Sequence, residues 1–84
     1  MSKYRYICNM NSELSHLDAA IASAPTAELH MQRARLLWRM QRHAAAIADY
    51  EKATAMAGPD SPAATALRHA RDIMNFYHKD LYNP

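Results

Sequence analysis

Few residues in this chain are of types that do chemistry, and they are scattered. Five histidines stand at His16, His30, His43, His69 and His78. No two share the i, i+4 spacing, and none has a second strong ligand beside it at a zinc-like interval. Each reads as a surface or half-buried polar group, and no metal or other cofactor is expected. Cys8 is the only cysteine. Arg5, one helical turn earlier, would favour its thiolate somewhat, but a packed or idle thiol is the simpler expectation. One glycine in the whole chain leaves no glycine-rich loop to cradle phosphate, and no serine sits in a strained strand-to-helix elbow. No catalytic residue emerges, and an enzyme is the least supported class.

The arginines are the exception to this scatter. Arg33, Arg35, Arg39 and Arg42 fall within one short segment. Arg35 and Arg39 are four apart, so a helix puts them on one face. Gln32 lies one turn before Arg35, and Trp38 follows it by three. A guanidinium binds carboxylate through two parallel hydrogen bonds, and an indole offers a flat apolar surface. The functional reading is a shallow site for an acidic or C-terminal peptide segment. The structural alternative is a solvated basic helix face with Trp38 partly packed under a neighbouring helix. Weak RNA or DNA binding through the same four arginines is a lesser reading. The formal charge of +2 does not require a polyanionic partner, and no known nucleic-acid reader motif is present.

The elements that must carry these residues are helices. Alanine dominates the apolar half of the composition, and with so little glycine the summed propensity is helical nearly throughout. No run of β-branched and aromatic residues alternates as a strand would. Eighty-four residues allow one domain with a small core. No window approaches about 18 apolar residues, so no membrane span is expected. The lone cysteine and the polar start, Met1 to Tyr6, point to the cytosol.

Residues 3–23 carry Ile7, Met10, Leu14, Leu17 and Ile21 on one stripe. This predicts one long first helix, with a start near Asn11-Ser12 as the alternative. Thr26 caps a second helix running to about Met40, with Glu28 in its first turn. A third runs from about His43 to Ala57, with Ile47, Tyr50, Ala53 and Thr54 on one face, and Gly58 ends it. Ser61-Pro62 starts a fourth, reaching about Lys79, whose buried side is marked by Ala63, Ala66, Leu67, Ala70, Met74 and Tyr77.

Pro25 and Pro59 are 34 residues apart, which prompts a search for a repeat. The stretch 27–60 has small residues at Ala34 and Ala46, where two antiparallel helices would touch. It then has Tyr50-Glu51-Lys52-Ala53, with Pro59 at its boundary. In these residues it resembles the tetratricopeptide repeat family. Three positions depart from that pattern: His30 stands where tryptophan is frequent, Gln41 where glycine turns the chain, and Arg33 where leucine is common. The flanks resemble half-repeats, the first helix as the end of a preceding repeat and residues 61–79 as a capping helix. The whole chain also resembles small bacterial proteins of tetratricopeptide type.

The resemblance implies an all-α domain of four helices over residues 1–84. It implies that the first helix of the repeat lines a concave groove, and hence that Met31, Gln32, Arg35, Trp38 and Arg39 contact a protein or peptide partner, an acidic one fitting best. The expected function is a non-catalytic protein-interaction module. The alternative is a self-associating homodimer, because the 3-4-3-4 stripe of the first helix is also a coiled-coil pattern and a short array leaves apolar surface to cover. Docking of that stripe against the repeat is the plainer expectation. The aromatic segment Phe76 to Tyr82 is expected to fold back over the open end of the array, with a recognition tail as the other reading.

Overall fold

The structure, a computed structural model, describes residues 2–82, with side chains from Asn9 to Phe76. The chain is all-α: α1 (Ser2–Ser23), α2 (Ala27–Arg39), α3 (His43–Ala57) and α4 (Pro62–Tyr82), with no strand among the described residues. Neighbours in sequence are neighbours in space, and the α2–α3 pair has the most extensive interface. The array is flat, 42 × 40 × 16 Å.

The breaks between helices follow from local chemistry. The Thr26 hydroxyl accepts the Leu29 N–H at 3.1 Å and satisfies one of the orphan donors at the start of α2. The α2–α3 turn is a Schellman closure: Gln41 N–H bonds to the Trp38 carbonyl at 3.0 Å and Arg42 N–H to the Leu37 carbonyl at 2.9 Å. Gln41 adopts φ +67° to make it, a left-handed conformation that glycine takes without cost. After α3, Gly58 turns at φ +104°, ψ 168°, a region essentially reserved for glycine. Ser61 then closes the next turn. Its hydroxyl donates to the Gly58 carbonyl at 2.7 Å and accepts the Ala64 N–H at 3.3 Å, with Pro62 in the first helical position.

Small residues set the packing. Ala34, Ala46 and Ala53 are fully buried, which lets the backbones of α2 and α3 come close. Ala34, Tyr50, Leu67 and Ala70 form one buried cluster joining α2, α3 and α4. Met31, Ala53 and Ala63 form a second. Leu36 and Leu37 fill the rest of the α2 interior. α2 and α3 are the central pair, with α1 packed on α2 and α4 chiefly on α3.

α1 is one continuous helix without a break at Asn11-Ser12. Its stripe docks only partly: Met10, Leu14, Leu17 and Ile21 are half-buried, and none is fully buried. The side chains of Ile7 and Cys8 lie outside the described residues. The expected fold-back of the C-terminal aromatic segment is not what the backbone does. α4 instead continues as helix through Tyr82, and the side chains beyond Phe76 lie outside the described residues.

Candidate functional site

The five expected contact residues do not form one surface. Gln32, Arg35 and Arg39 line a groove of about 470 Å³ between α1 and α2. Leu17 and Leu36 give it an apolar floor, and Glu13 and His16 of α1 complete the opposite wall. The volume is within the range of small-ligand and peptide-segment sites. Arg35 and Arg39 are exposed and have no carboxylate partner among the described residues. The α2 wall of the groove therefore carries two unpaired guanidinium groups, with Glu13 on the facing wall and Glu28 accepting a hydrogen bond from Gln32 at 3.4 Å.

Met31 is not part of this surface. It is 7% exposed and belongs to the buried cluster with Ala53 of α3 and Ala63 of α4. Trp38 sits on the other flank of α2. It is half-buried against the Ala34–Tyr50–Leu67–Ala70 cluster. Its ring lies against His43 in a tilted contact, with a centroid distance of 4.3 Å and an interplanar angle of 49°.

Sequence reasoning missed the most connected polar group in the molecule. Asp49 on α3 is 3% exposed. Its carboxylate accepts from Arg33 Nε at 2.7 Å, from Arg33 Nη2 at 2.8 Å and from His30 Nδ1 at 3.0 Å. Arg33 Nη1 reaches on to Asp18 of α1 at 2.8 Å. Burial raises the Asp49 pKa, but the hydrogen bonds and charges of Arg33 and His30 outweigh this and hold the carboxyl below its ordinary value. The hydrogen bonds and charges of Asp49 and then Asp18, against a desolvation cost, push the Arg33 guanidinium above its ordinary range. An ionised carboxylate only accepts, so Nδ1 of His30 carries its proton. The network ties α1, α2 and α3 together and is sealed from solvent on its His30 side.

A signal for this network was present. His30 and Arg33 both depart from the repeat pattern that residues 27–60 resemble, and they lie three residues apart on one face of α2. A carboxylate on the facing helix is their compensation. With Arg33 committed to two aspartates, the basic surface is reduced to Arg35, Arg39 and Arg42, which weakens a nucleic-acid footprint.

Among the described residues, no group of three or more His, Cys, Asp and Glu is placed to hold a metal ion. No described helix is long and apolar enough to cross a membrane. Comparisons with family models, with curated proteins and with solved structures each find no match for this chain.

Proposed function

We propose that this chain is a non-catalytic protein-interaction module of the tetratricopeptide type, binding an acidic peptide segment or partner helix in the groove between α1 and α2. The observation that carries the reading is the pair Arg35 and Arg39. They stand one turn apart on a groove wall, exposed and without carboxylate partners among the described residues, while Arg33 is held in ion pairs. Unpaired guanidinium groups beside an apolar floor suit a segment that offers carboxylates and some aliphatic surface. The repeat pattern over residues 27–60 supports the same reading, since the array presents a helix face rather than a reactive centre.

Affinity capture from the native cell tests this, with the wild-type chain and Arg35→Glu/Arg39→Glu run side by side. Both positions are exposed, so the double variant keeps its fold. The expected result is a protein retained by the wild type and lost with the double variant. Equal retention by both removes the anchor role of these arginines. Self-association is favoured by a different observation, the exposed apolar side chains Met56 and Ile73 on a flat array. Light scattering at high protein concentration decides it, a monomer throughout being the outcome that eliminates a dimer.

A further inference from the structure

On the other flank of α2 from the groove lies a smaller cup of about 170 Å³. Trp38 forms one wall, Ile73 and His69 of α4 the other, and Tyr50, Ala66 and Ala70 the floor. The Trp38 wall is held in place, because its ring makes a tilted contact with His43 and packs on the core. The Ile73 side chain is 42% exposed, so the apolar lining reaches the surface.

Two observations place the cup beside the arginine wall of the groove. Trp38 follows Arg35 by three residues, which places the two side chains next to each other on a helix. The charge of Arg35 also acts on the Tyr50 phenol, opposing the upward push that burial gives its pKa. Arg35 lines the groove itself and stands one turn from the Trp38 wall of the cup. The Tyr50 hydroxyl makes no hydrogen bond to a described residue, yet no buried side-chain polar atom of the described residues is orphaned. That hydroxyl therefore reaches the open side, where an incoming acceptor can bond it.

Resting on the function proposed above, we infer that the cup is the second half of the binding site. It takes a leucine-sized aliphatic side chain from the same acidic segment whose carboxylates pair with Arg35 and Arg39. The cup is too small for a ligand of its own. Its volume equals about six water molecules' share of the liquid, which suits one branched aliphatic side chain. Charge complementarity selects an acidic segment over a neutral one, because Arg35 and Arg39 line the groove and Arg35 lies one turn from the cup's Trp38 wall.

Trp38 is the only tryptophan, so its emission reports on the cup directly. The probes are a synthetic acidic heptapeptide with one central leucine and its alanine counterpart, titrated at low salt into wild type, Ile73→Ser and Arg35→Glu/Arg39→Glu. The leucine peptide is expected to bind about tenfold tighter than the alanine peptide and to shift Trp38 emission. Ile73→Ser, a change at an exposed position, is expected to erase that preference while weak salt-sensitive binding of both peptides persists. The arginine double variant is expected to lose both peptides. Equal affinity for the two peptides in wild type, with binding still lost in the arginine variant, overturns the cup and leaves the proposed function standing. A leucine preference that survives the arginine variant overturns the anionic anchors instead. Absence of binding by either peptide overturns both.

Discussion

Replacing Asp49 with alanine removes the acceptor of three hydrogen bonds at once. Asp49 is 3% exposed, and its two donors answer differently to its loss. His30 is buried and keeps an N–H with no partner, which costs about 1–3 kcal/mol. Arg33 loses a bidentate partner but retains Asp18 and some solvent. Breaking a buried ion pair by removing one member costs about 3–5 kcal/mol. The residual Asp18 contact puts Asp49→Ala near the lower end, about 3 kcal/mol. A domain of 84 residues has about 4–12 kcal/mol in total, so the variant sits close to its limit. The expected fall in Tm is about 12–24 °C, read by far-UV circular dichroism on heating, with a urea titration as the second measure.

The same carboxylate sets a pH dependence. Its folded pKa lies below the ordinary 3.8, so the stability it contributes is fully present above that value. That stability is lost as pH falls through the lower folded value. Wild type should therefore lose stability below about pH 4, and Asp49→Asn should show a shallower decline over that window. An Asp49→Ala melt within about 4 °C of wild type would refute the account of this network.

Three further perturbations address the backbone and the close helix contact. Ala34→Leu places a larger side chain where the native one is fully buried, and a loss of about 1–3 kcal/mol is expected in denaturant titration. Gly58→Ala meets nothing within 4 Å, so its cost is the φ of +104° alone, about 1–3 kcal/mol by thermal melt. Gln41→Gly relieves the left-handed residue of the α2–α3 turn and should stabilise by about 0.5–1 kcal/mol, after the added freedom of the unfolded chain is subtracted.

How much of this was legible in the sequence differs by kind of residue. The four helices and the contact alanines were readable, because the close approach of two helices demands small side chains at a fixed spacing. Ala34, Ala46 and Ala53 satisfy that demand whatever else surrounds them. Capping was readable at Thr26 and Ser61 for a similar local reason. The division of the α2 surface among its neighbours was not. Met31 and Trp38 share the exposed-looking side of α2 with Arg35 in a helical projection. Only the packing of α3 and α4 residues decides that Met31 is core and that Trp38 walls a separate cup. The Asp49 network was hidden because its partners are 15 to 19 residues apart in sequence. His30 and Arg33 stand out in the sequence only as departures from the repeat pattern, and nothing marks Asp49, on its alanine-rich helix, as their partner.

The central claim is that a partner segment binds along α2 at Arg35 and Arg39. A two-dimensional NMR titration of the isotopically labelled chain with the captured partner, or with the acidic leucine heptapeptide, tests it most directly. Chemical-shift changes should gather at Glu13 to Leu17 and at Gln32, Arg35 and Arg39, with the Trp38 indole N–H moving as well. Changes confined to the opposite face, at Ala45, Ala48 and Lys52, would contradict the claim, as would a spectrum that does not move at all.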